Sequence, residues 1–158
     1  MFGQLNTAAE LRDVSVTNLD QPEADPVLTY RVRLPGIAKS AGSLVLLRPA
    51  LSDWADDVME RGERSQPLTF PGAMQMSEIL EIALPEGYTV DEFPAPVQAD
   101  IGIASYTSRT ESDGRVLRYT RRLEIKDVLV NSERFAEMKN FYRQVNAAER
   151  AATVLKKR

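Results

Sequence analysis

The residue types behind most hydrolytic and transfer chemistry are missing from this sequence. Its 158 residues include no Cys and no His. That removes thiolate nucleophiles, disulfides and cysteine metal sites together. It also removes the usual general base, the usual zinc ligand and every Ser-His or Cys-His arrangement. Carboxylates remain. Glu78, Glu81, Glu86, Asp91 and Glu92 lie near one another in sequence and supply the groups for a glycosidase-like pair. Such a pair needs two carboxylates held at a defined separation across a cleft, and carboxylates are also the ordinary covering of a folded surface, which is the preferred reading. Asp53, Asp56 and Asp57 lack the alternation and the glycine of a calcium loop. An acidic helix N-terminus accounts for them better. Phosphate-loop, nucleophile-elbow, dinucleotide-binding and N-glycosylation patterns are absent, so the sequence implies no cofactor and no metal.

Arg121 is set apart by position. It falls between Tyr119 and Leu123 on the apolar face of an alternating strand, where an unpaired guanidinium costs several kcal/mol of desolvation, on the order of a broken buried ion pair. It either contacts an anion or ligand, pairs with a carboxylate, or escapes outward through a bulge at Arg121-Arg122. The structural readings are preferred. Among the aromatics, Tyr30, Tyr119, Phe135, Phe141 and Tyr142 fall on stripes expected to be buried. Trp54 and Tyr88, next to loops, are the aromatics left as candidates for binding a peptide or glycan.

The elements that must position these groups are mostly strands. Val14 and Val16 alternate with polar neighbours, as in a strand with one buried face. Asn18 to Pro26 is a loop of turn formers. Val27 to Leu34 places Leu28, Tyr30, Val32 and Leu34 on one face and Thr29, Arg31 and Arg33 on the other. Leu44 to Leu47 reads as a strand buried on both sides. Leu51, Trp54, Ala55, Val58 and Met59 change to helical spacing, predicting a short helix over 52–61, and 64–71 reads as an extended, proline-punctuated segment.

From Glu78 the pattern is strongest. Leu80, Ile82 and Leu84 alternate, Pro85-Glu86-Gly87 turns the chain, and Ser112-Asp113-Gly114 closes a hairpin pairing about 101–110 with 115–126. The basic run from Arg115 to Lys126, interleaved with Glu124 and Asp127, reads as a solvated strand face. From Asn131 the period becomes helical: Phe135, Met138, Tyr142 and Val145 recur at three- and four-residue steps, widened by Phe141, Ala148 and Ala152. Lys156, Lys157 and Arg158 suit the negative end of a helix running over 131–158.

Without βαβ alternation, this order predicts a mainly β fold: an antiparallel β-sandwich over 11–130 with a long C-terminal amphipathic α-helix packed on it, after a loose lead-in at 1–10. The length fits one domain. The hydrophobic fraction of 43% and charged fraction of 27% are those of a globular protein. A net charge of −3 argues against a nucleic-acid surface. No apolar run reaches membrane-spanning length, and the N-terminal stretch carries neither part of a signal peptide.

The order of motifs adds a resemblance. Arg64-Ser65-Gln66-Pro67-Leu68 precedes the strand into Leu84-Pro85-Glu86-Gly87-Tyr88 and then Phe93-Pro94. Leu117 to Leu123 follows, and then a closing helix with Phe135, Phe141, Tyr142 and Val145, ending Val154-Leu155-Lys156-Lys157. Over about residues 10–157 this resembles the C-terminal β domain, of unassigned function, that follows the transglutaminase-like core in exported bacterial proteins. The resemblance implies a fragment whose catalytic Cys, His and Asp lie in the core domain. None of them can be carried onto this chain. It implies a non-catalytic accessory domain that stabilises the core or shapes access to it, with that upstream core as partner and an extracytoplasmic setting. Arg64 and Arg121 gain family-like positions without a known role. Two other readings follow from the residues: a stand-alone peptide- or glycan-binding module using Trp54 and Tyr88, and a carboxylate-based hydrolase.

Overall fold

The computed structural model describes residues 10–24, 26–33, 37–51, 54 and 66–157. Of the expected features, the lead-in at 1–9, Leu34, Arg64 and, apart from Trp54, the helix at 52–61 lie outside the described residues. The chain divides into two compact units, one reaching Ala38 and one running from Lys39 onward.

The first unit is a two-stranded antiparallel ribbon of β1 (Glu10–Thr17) and β2 (Val27–Arg33). Both strands fall where the alternation places them. The register pairs Leu11 with Val32 and Val16 with Leu28, and shifts between Arg12 and Ser15. There Asp13 adopts a φ of 52°, the conformation that lets a bulge add residues to one strand. The expected burial of this face is not found: Leu11, Val16, Leu28 and Tyr30 are all exposed. Among the described residues of this unit, the two strands have no second layer to bury a face against.

The second unit carries two four-stranded sheets. One has the order β6 (Met74–Ala83), β10 (Val116–Ile125), β9 (Ala104–Ser112), β8 (Val97–Asp100). The other has the order β3 (Ala38–Ala41), β4 (Leu44–Leu47), β12 (Thr153–Lys157), β7 (Tyr88–Glu92). A short pair, β5 (Leu68–Thr69) with β11 (Leu129–Val130), and the helix α1 (Phe135–Arg150) complete it. Pairing in the first sheet is antiparallel throughout, as is that of β12 with both neighbours. The fold is the expected one: mainly β, antiparallel, with one C-terminal helix.

Local chemistry explains the turns. After β9 the chain reverses at Asp113-Gly114, where Gly114 has a φ of 92°. The Asp113 carboxylate accepts from the backbone N–H groups of Arg115 and Val116, both at 2.8 Å. The Val116 and Arg115 bonds hold the Asp113 carboxyl below its ordinary value. Between β6 and β7, Tyr88 N–H donates to the Pro85 carbonyl at 3.2 Å, with Gly87 at a φ of 81°, which L-residues rarely adopt.

Along α1 the predicted stripe is buried: Phe135, Met138, Phe141, Tyr142 and Val145. They pack with Ala104, Tyr106, Leu123 and Ile125 of β9 and β10 in one core cluster. Two expectations are corrected. The helix does not run over 131–158: it occupies Phe135–Arg150, after a single 3₁₀ turn at Ser132–Arg134. Thr153–Lys157 is instead β12, lying between β4 and β7. Thr153 and Leu155 are buried there, and alternation of buried and open positions over Thr153-Val154-Leu155 is the period of a strand. Lys156 and Lys157 therefore end a strand and do not cap a helix. Likewise β4 is not buried on both faces. Leu47 is buried while Leu46 is exposed.

Candidate functional site

β10 is registered continuously against β6 on one side and β9 on the other. The bulge that would turn Arg121 outward is therefore absent. Alternation sends Leu117, Tyr119, Arg121, Leu123 and Ile125 inward and Arg118 and Arg122 outward. The outward arginines meet Glu81 and Gln75 across the strand pair, as a solvated strand face would. Arg121 is different: its side chain is fully buried.

Two carboxylates neutralise it. Arg121 Nε donates to Glu78 Oε2 at 2.8 Å, and Arg121 Nη1 donates to Glu149 Oε1 at 2.7 Å. Glu78 comes from the neighbouring strand, directly opposite Arg121 in the register, and keeps 24% of its side chain exposed. Glu149 comes from the last turn of α1 and has a side-chain exposure of 0%. Its second oxygen, Oε2, accepts the backbone N–H of Trp54 at 2.9 Å, and its backbone carbonyl accepts Arg48 Nε at 2.8 Å. The guanidinium carbon lies 3.8 Å from the centroid of the Trp54 ring and 6.0 Å from that of Tyr119. Both are within reach of a cation–π attraction.

Beneath this cluster the Tyr106 and Tyr119 hydroxyls approach to 3.5 Å. Burial raises both phenol pKa values; for Tyr119 the hydrogen bond with Tyr106 raises it further. These phenols stay neutral at any physiological pH.

The charges of the cluster are engaged with one another. One guanidinium bridges Glu78 and Glu149, filling the space that an acid–base pair must leave for substrate and water. The Glu149 carboxylate is sealed from solvent, with each oxygen accepting a hydrogen bond from the protein. Of the residues singled out from the sequence, the structure brings Arg121 and Trp54 together. Tyr88 sits apart from them in register, half-buried at the start of β7 and opposite Lys157 of β12. Trp54, which sequence reading left as a loop aromatic for ligand, is packed against Arg121 and the edge of the core cluster. The partner that sequence reading missed is Glu149. It continues the stripe of Phe135, Met138, Tyr142 and Val145 four residues further on. A carboxylate on a buried helical stripe, with an arginine on a buried strand face, was a legible signal for a pair.

Among the described residues no group of three or more acidic, His or Cys side chains is gathered as a metal site. No described helix is long and apolar enough to cross a membrane.

A family model matches residues 43–155, which span β4 through most of β12. It is DUF3858, a family of domains of unknown function with a solved structure. The chain belongs to the DUF3858 family. No curated protein matches it. Among solved structures it is similar to one described as a "putative protease" from Parabacteroides distasonis ATCC 8503, with a TM-score of 0.60 at 9% sequence identity. The match covers 73% of this chain and 24% of that one. At that identity the likeness is one of fold. The DUF3858 domain here thus spans about a quarter of the length of the protein it resembles.

Proposed function

We propose that this DUF3858 chain is a non-catalytic accessory domain of a larger transglutaminase-like polypeptide of cysteine-protease fold, stabilising its catalytic core or shaping access to it. The observation that carries the reading is the size relation: the same fold occupies 24% of a longer chain described as a "putative protease". Two further points support it. The sequence holds neither Cys nor His, so acyl transfer or peptide cleavage of the usual kind must draw its nucleophile and base from elsewhere. The most unusual charges in the fold are spent on one another, in the Arg121, Glu78 and Glu149 cluster. The motif order running from Arg64 to Lys157 adds the expectation of an exported parent in the bacterial envelope.

The test is the size and place of the native polypeptide. Antiserum to this domain, used on fractionated source cells, should recover a much larger chain from the extracytoplasmic fraction. Peptide mass spectrometry of that chain should find an upstream region with Cys and His. Recovery of a polypeptide no larger than 158 residues would defeat the proposal.

A further inference from the structure

β6 is the edge of the first sheet. Its ten residues pair with β10 without a register shift, and along its other side no strand is paired among the described residues. Edges of this length are ordinarily blunted by Pro, Lys, a bulge or an inward charge, because their free N–H and C=O groups template further pairing. The β6 sequence MQMSEILEIA holds neither Pro nor Lys. Its one inward charge, Glu78, is engaged by Arg121. The inner-face residues Met76, Leu80 and Ile82 are only half-buried, while Tyr119 and Leu117, opposite Leu80 and Ile82 on β10, are buried. At the middle of the outer face, Ile79 is 68% exposed among polar neighbours.

We propose that β6 pairs antiparallel with β6 of a second copy of this chain, centred on Ile79, joining two four-stranded sheets into one. The register follows from the side chains. Keeping both inner faces on the same side requires the two-fold axis to pass through a residue. Centred on Ile79, each Ile79 meets its counterpart, Glu81 meets Ser77, Met76 meets Ile82, and Glu78 meets Leu80. No two carboxylates are opposed. Centring on Glu78 would set two carboxylates directly opposite, which is destabilising; centring on Leu80 would set Ile79 against Glu81. The Ile79 register is also the one that pairs the exposed isoleucine with an apolar surface.

Sedimentation equilibrium of the full 158-residue chain should show a reversible monomer–dimer equilibrium. Ile79→Lys places two ammonium groups at the axis and should weaken the dimer several-fold with an unchanged far-UV spectrum. Thr107→Lys, exposed on β9 away from the edge, should leave it intact. The absence of native Cys makes a second measurement direct. Residues opposed across an antiparallel pair have Cα atoms about 4.5–5.5 Å apart, within the roughly 4.4–6.8 Å that a disulfide spans. Ile79→Cys should therefore oxidise to a covalent dimer. Ser77→Cys mixed with Glu81→Cys should cross-link as a heterodimer, and neither should do so alone. A chain that stays monomeric, or a dimer indifferent to Ile79→Lys, overturns the proposal.

Discussion

Arg121 and Glu149 each occupy a position that the pattern of their element reserves for an apolar side chain, and each makes the other tolerable. Removing one partner of such a pair strands the other without compensation, whereas replacing both with apolar groups does not. Arg121→Met takes the buried cation away from the sealed Glu149 carboxylate and should cost about 3–5 kcal/mol, read as a lower urea midpoint at unchanged slope. Arg121→Met with Glu149→Leu should recover most of that loss, because Glu78 alone reaches solvent. A single substitution costing no more than a surface pair, about 1 kcal/mol or less, would show that the cluster contributes little. The two phenols below it give a pH signature. Their folded pKa values lie above the ordinary 10.0. The stability they contribute is therefore complete below about pH 10 and falls as pH rises beyond it, since the unfolded chain releases those protons first. Phenolate absorbance from Tyr106 and Tyr119 should rise together with loss of the far-UV signal, and Tyr106→Phe with Tyr119→Phe should remove that step. Ionisation in a chain still folded would contradict the burial.

Elements were legible where one short-range rule governs them. The alternation from Leu80 to Ile82, the Asp113-Gly114 reversal and the 135–145 stripe all predict what is found, because each signal is confined to its own segment. The failures came where a distant partner decides. Thr153 to Lys157 follows a strong helical run and carries a basic end, so it reads as the last turn of α1. Its strand state depends on β4 and β7 being open on either side, more than sixty residues back in the chain at the nearer of the two. The same reason hid the exposure of Leu46 and of the ribbon's apolar face. Glu149 extends the helical stripe by one more step, but a carboxylate there signals burial only once Arg121 is known to lie opposite it. β12 allows a contrasting pair of substitutions. Leu155→Ala empties a buried site in the centre of a sheet and should cost about 2–5 kcal/mol. Thr153→Val should be neutral or stabilising by about 1 kcal/mol, because Thr153 Oγ1 is buried without a hydrogen-bond partner among the described residues. Thermal denaturation of the two variants decides. A Thr153→Val loss as large as that of Leu155→Ala would mean the hydroxyl has a partner.

At the scale of the molecule, stability must be unevenly shared. Taken by itself, the ribbon of β1 and β2 exposes its apolar residues Leu11, Val16, Leu28 and Tyr30, and a pair of strands on its own is marginal in water. The unit from Lys39 onward contains both four-stranded sheets, the helix stripe and the buried ion cluster. The family match, residues 43–155, falls entirely within that unit, so the part that defines the family is also the part with a core of its own. A chain reduced to residues 39–158 should therefore keep a single cooperative unfolding transition, with coincident far-UV and Trp54 fluorescence changes. Native-state hydrogen exchange of the full chain should find the ribbon amides opening at much lower free energy than those of β9 and β10. Equal protection across both units would mean that the ribbon is held as firmly as the core. The 39–158 chain would then be expected to lose its cooperative transition as well.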